Sequence, residues 1–114
     1  SVKNNQENIM DWIILFIAGI FETAWAVTLK YTQGFTKPLF SVITVIFMVI
    51  SFFLLSYALK TIPVGTAYAV WTGIGAFGVA IIGIIFLAEP ANAIRIISLL
   101  LVVAGVAGLR LAGK

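Results

Sequence analysis

Four long apolar runs, parted only by short polar connections, fix the solvent in which this chain can fold. Three of them are Trp12–Leu29, Leu39–Leu59 and Gly65–Leu87, and the fourth centres on Ile96–Leu109. A helix crosses a bilayer with roughly 17–25 residues, which the first three runs supply. Only 14 residues separate Arg95 from Arg110. At about 1.5 Å per residue that is short of a hydrocarbon core about 30 Å thick. Snorkelling of both arginines toward opposite interfaces bridges the shortfall. A short span beginning near Ala91 is therefore expected.

The connections carry the breakers such a fold needs: Gly34 and Pro38, then Pro63, then Pro90. The expected architecture is an all-α integral membrane protein of four short transmembrane helices. Its spans are expected over 12–29, 39–59, 65–87 and 91–110, in one domain covering residues 10–114 with no linker. Residues 1–9 read as a polar tail, natural or left by cloning, with Met10 as an alternative start. No secretory signal is expected there, because the first apolar run lacks a small-residue cleavage site and continues through Glu22.

Composition then removes several function classes. Hydrophobic residues make up 62% and charged residues 10%, against nearer a quarter charged in soluble domains. The chain has no Cys and no His, so disulfides, thiolate chemistry, common zinc sites and an imidazole base are all excluded. No metal or other cofactor is expected, and an enzyme would have little machinery to work with. All seven Lys and Arg residues behind the net charge of +3 fall outside the apolar runs. They offer no basic patch on a soluble fold, so no nucleic-acid partner is expected. Gly73, Gly75 and Gly78 match the letters of a dinucleotide-binding loop, but that fingerprint needs a strand before it and a helix after it. Here it lies inside an apolar run.

One charge interrupts the first run. Glu22 is its only ionisable residue, and a carboxylate at mid-membrane costs about 2.5–3.5 kcal/mol or more. Low dielectric disfavours its charged form, so proton uptake is its ordinary escape. Ala18, Gly19, Trp25 and Ala26 lie one turn away on the same helix face. Small residues there allow a neighbouring helix to approach, and Trp25 sets an aromatic ring beside the acid. Intramembrane acids mark ion or substrate paths; the structural alternative is a protonated Glu that bonds a neighbouring helix.

The other runs offer groups that fit a cation site. Tyr68 and Trp71 share a face of the third run, and aromatic faces attract desolvated cations by about 2 kcal/mol. Gly73, Gly75 and Gly78 permit a bend or a close helix contact. Of the hydroxyls Ser41, Thr44, Ser51 and Ser56 in the second run, Ser51 sits at a depth comparable with Glu22 and is assigned to the site. The others commonly bond their own backbone. In the fourth run Ala104 and Gly108, with Gly105 between, form a small-xxx-small pattern suited to helix packing. A dimerisation role is expected of them.

Charge balance bears on how many copies are needed. From Met10 onward, one side of a four-span topology carries Lys60, Arg110 and Lys114, and the other carries Lys30, Lys37 and Arg95. Lys3 would add one to the first side. Orientation follows such differences, and three against three gives almost no instruction. Inverted-repeat transporters need two related halves, and this chain has no convincing internal duplication. Two copies inserted in opposite directions would form the inverted pair.

The motifs Gly19-x-x-Glu22-x-x-Trp25 and Lys60-Thr-Ile-Pro-Val-Gly-Thr-Ala-Tyr68-Ala-Val-Trp71-Thr-Gly-Ile-Gly75 resemble those of the small multidrug resistance transporters, in the guanidinium exporter branch. The resemblance runs from about Met10 to Leu111. It implies an antiparallel, dual-topology homodimer in a bacterial inner (plasma) membrane, exporting guanidinium and small guanidinyl cations in exchange for protons. Glu22 of both copies would bind proton and substrate in competition, and Gly19, Trp25, Ser51, Tyr68 and Trp71 match supporting positions around it. Ser51 and Trp71 are expected to hold Glu22 in one rotamer through their polar hydrogens. Two other functions stay open: a broader exporter of quaternary ammonium cations, which the presence of Trp25 disfavours, and a non-transporting membrane subunit.

Overall fold

Each apolar run becomes one helix. In the computed structural model, which describes the backbone of residues 2–112 and the side chains of residues 9–112, these are α1 (Val2–Tyr31), α2 (Pro38–Ala58), α3 (Val64–Phe86) and α4 (Ala93–Ala112). All four are long and apolar enough to span a membrane, α1 through its segment Ile9–Tyr31.

The breakers set the helix ends. After α1 the chain turns through Gln33, Gly34 and Phe35, all at positive φ (49°, 73° and 63°), a region that only glycine occupies freely. Thr32, fully buried, locks this turn: its Oγ1 donates to the Leu29 carbonyl at 2.7 Å and accepts the Phe35 N–H at 3.2 Å. Pro38 then opens α2 at a position where its missing N–H costs nothing. Pro63 stands immediately before α3. Ahead of α4, Asn92 Oδ1 accepts the Arg95 N–H at 2.9 Å, as an N-cap side chain does.

That cap moves the expected start of the fourth span. The helix begins at Ala93 rather than near Ala91, and it gains residues at its far end, running to Ala112. Its 20 residues rise about 30 Å, enough to cross the hydrocarbon core. Arg95 and Arg110 therefore lie within the helix, near its two ends. Arg95 is paired with Glu89 of the preceding turn at 2.9 Å.

Packing is organised by α1, which lies against both α2 and α3, while the backbone of α4 comes close to α3 alone and its side chains reach α1 through Arg110 over Trp12. The body is flat, 49 × 36 × 19 Å. Its hydrophobic core is small and gathers toward the α2–α3 connection: Leu15 and Ala18 of α1, Ala58 and Ile62, and Ala67, Val70 and Trp71 of α3. At the same end the Thr61 hydroxyl donates to the Asp11 carboxylate and ties that connection to α1. Elsewhere the large apolar side chains face outward, Phe53 at 69% and Leu101 at 66% exposure. In water this surface would be untenable; against lipid it is the expected face.

Candidate functional site

Glu22 points from α1 toward α3. There it meets Gly75, which is buried and has no side chain to stand in its way. A Cβ at position 75 would occupy the space taken by the Glu22 carboxyl group. One turn back on α1, Gly19 receives Ile74 in the same manner: a Cβ there would lie 2.6 Å from the Ile74 side chain. The two glycines let α1 and α3 close on each other where the acid sits.

Behind Glu22 a hydrogen-bonded strut joins three helices. Ser51 of α2, fully buried, donates its hydroxyl to the Ala18 carbonyl of α1 at 2.7 Å and accepts the Trp71 indole N–H of α3 at 2.9 Å. One hydroxyl is thereby used as donor and as acceptor. This corrects the expectation that Ser51 and Trp71 hold Glu22 directly, because their polar hydrogens are taken up by Ala18 and by each other. They fix the wall of the site and leave the acid alone.

Rings line that wall. Trp25 meets Phe52 edge-on at 6.3 Å, Phe52 meets Trp71 at 5.5 Å, and Trp71 meets Tyr68 at 5.5 Å. The spacings suit favourable aromatic pairs, and the row crosses from α1 through α2 to α3. Tyr68 is its outermost member, 57% exposed.

Two polar atoms facing this region have no partner: Glu22 Oε1 and the Trp25 indole Nε1, both buried. Buried polar groups are nearly always satisfied, and an unmet carboxyl oxygen is costly. A proton or a cation carrying N–H donors would satisfy the first, and an acceptor the second.

Gly19, Glu22, Trp25, Ser51, Tyr68 and Trp71 thus lie along one connected region. Ala104, Gly105 and Gly108 do not belong to it. They sit on the exposed side of α4, with open space beside both glycines.

Several contributors escape a reading by residue type. Phe52 bridges Trp25 and Trp71, yet in sequence it is one Phe of a Phe-Phe pair in an apolar run. Thr23, next to Glu22, donates to the Gly19 carbonyl at 3.2 Å and across to the Gly75 carbonyl at 3.3 Å, while its side chain fills the space left by Gly78. The Thr44 hydroxyl of α2 donates to that of Thr28 on α1 at 2.8 Å. The only signal for these contacts was a hydroxyl in an apolar helix, which gives no direction.

Four apolar helices, with one acid in the middle of the first span, define a small integral membrane protein. Comparison makes the class specific: the family model described as Small Multidrug Resistance protein matches residues 10–102. The chain belongs to that family, and it is an integral inner-membrane protein. Among similar proteins, the "Guanidinium exporter" of Salmonella typhimurium is 61% identical over 102 residues, covering 90% of this chain and 97% of the relative. The protein of the same name from Escherichia coli is 60% identical with the same coverage, and that of Proteus vulgaris is 57% identical, covering 90% and 99%. All three are named as transporters, not as enzymes.

Proposed function

We propose that this chain exports guanidinium and small guanidinyl cations in exchange for protons, with both competing for Glu22. The observation that carries the proposal is the buried, unpartnered Glu22 Oε1, one helical turn before Trp25, where an aromatic row begins. The names of relatives near 60% identity support the substrate class. Guanidinium is planar and presents forked N–H donors that match a carboxylate bidentately. The ring faces of Trp25 and Trp71 add cation–π attraction.

Exchange follows from exclusivity. A proton on Glu22 removes the charge that holds the cation, and a bound cation occupies the oxygens that would take the proton. The acid therefore carries one or the other. We infer that two copies in opposite orientations bring two Glu22 side chains to a shared site, which titrates as a coupled pair. The even charge count supports opposite insertion, and the small residues Ala104, Gly105 and Gly108 on the exposed side of α4 support packing against the second copy.

The test is proton flux in liposomes on addition of guanidinium. The unmutated protein should drive flux; Glu22→Gln should abolish flux and cation binding while leaving the protein folded, because Gln mimics the protonated acid. Guanidinium binding should weaken as pH falls, since protons then hold the site. Absence of flux from the unmutated protein would leave a non-transporting subunit as the better reading, and binding that ignores pH would refute competition. Tetramethylammonium has no N–H donors to satisfy the carboxylate, so it should drive much less flux than guanidinium. Equal flux would point instead to a broad quaternary ammonium exporter.

A further inference from the structure

Between α1 and α4, floored by α3, lies a cleft of about 580 Å³ on the membrane-exposed side of the molecule. Phe16 and Ile20 of α1, Phe77 and Ile81 of α3, and Val103 and Val106 of α4 are among its lining residues. Thr23 supplies the one hydroxyl in the lining, and that hydroxyl is already committed to backbone carbonyls. Glu22 is not part of this lining, so the cleft is distinct from the cation site.

The two outer walls end in polar groups at the same end of the molecule. On α1, Trp12 precedes Phe16 and Ile20 by one and two turns, on the same face. On α4, Arg110 follows Val106 and Val103 by one and two turns, again on the same face. The Arg110 guanidinium lies over the Trp12 ring, 4.9 Å from its centre. Placed over a ring, a guanidinium still has N–H groups to offer a planar or phosphate acceptor. Among the described residues Arg110 makes no ion pair; the pair found is that of Arg95 with Glu89. Trp12 Nε1 is buried and has no hydrogen-bond partner. The nearby acid, Asp11, is engaged by the Thr61 hydroxyl.

An apolar cleft with an unpaired guanidinium and an unmet indole N–H one helical turn beyond its lining matches one kind of molecule. We propose that the cleft binds a glycerophospholipid: an acyl chain lies along Phe16, Ile20 and Val103, and the phosphate accepts hydrogen bonds from Arg110 and Trp12 Nε1. A charged phosphate group draws charge-assisted bonds from Arg in bidentate geometry. The cleft volume falls in the range of roughly 300–1,000 Å³ typical of small-molecule sites. A second copy is the less suitable occupant. The small residues Ala104, Gly105 and Gly108 lie on the side of α4 facing away from Val103, Val106 and Arg110, so a partner seated on them leaves the cleft open.

Native mass spectrometry of the full chain in detergent tests this, by titration with dioleoylphosphatidylglycerol, dioleoylglycerol or glycerol 3-phosphate. The phospholipid should be retained at least about tenfold more tightly than either fragment, the worth of one charge-assisted hydrogen bond. Arg110→Gln and Trp12→Phe should each weaken phospholipid retention by a similar factor, whereas Lys30→Gln, at the opposite end, should not. Trp12→Phe keeps the ring and removes only the N–H, so it reports on the bond even if the arginine variant folds poorly. Equal retention of dioleoylglycerol, retention of glycerol 3-phosphate as tight as the lipid, or indifference to both variants would each overturn the proposal. So would loss of the lipid on self-association, which would assign the cleft to a second copy.

Discussion

Gly75 acts on Glu22 by what it lacks. Its position on α3 leaves room for the Glu22 carboxyl group, and a methyl there would need that same volume. Overpacking of a filled site costs about 1–3 kcal/mol. Gly75→Ala should therefore weaken guanidinium binding about tenfold or more, as read by titration calorimetry. Gly65→Ala on the same helix, with open space at its Cβ, should leave binding unchanged. The acid itself was legible in the sequence, because a lone carboxylate in an apolar run is expensive and so demands a reason. Ser51 was legible by depth, and Trp71 by its place beside Tyr68 on a helix face. Their bond to each other was not, since periodicity places a residue on a face without saying which neighbour its hydrogen will choose. The same limit hid Thr23, whose hydroxyl reaches 52 residues along the chain to Gly75.

The four helices were visible as apolar runs because the bilayer imposes length and composition on any span. Their ends were less visible, and α4 shows why. Its apolar stretch is bounded by arginines, and charges look like boundaries. The actual boundary is set by hydrogen bonding: Pro90 lacks a donor, and Asn92 supplies an acceptor to the first turn. The helix thus starts before Arg95, whose charge is met by Glu89. Asn92→Ala should lower stability by about 1 kcal/mol, the usual loss of an N-cap. Thermal unfolding in detergent would read this as a lowered midpoint, and Asn92→Asp should retain most of the stability. An unchanged midpoint in the alanine variant would mean that the cap contributes nothing to α4.

For the molecule as a whole, the even distribution of Lys and Arg makes orientation the property most easily altered. A cysteine placed near the C-terminal end should be labelled from both sides of the membrane, and labelling from one side only would defeat opposite insertion. Two lysines added to one side should bias every copy the same way and abolish flux. Co-expression with an oppositely biased copy should restore it. No residue of α4 is fully buried within the subunit; its backbone comes close to α3 alone, and it meets α1 only through side chains such as Arg110 over Trp12. Mechanically, then, this helix is the loosest part of the body. Gripped by its C-terminal end and drawn out of the bilayer by a cantilever, it should come away first, as a discrete event ahead of the α1–α3 unit. The force needed for that first event would measure the grip of whatever lies outside the subunit, far more than the cohesion of the chain itself.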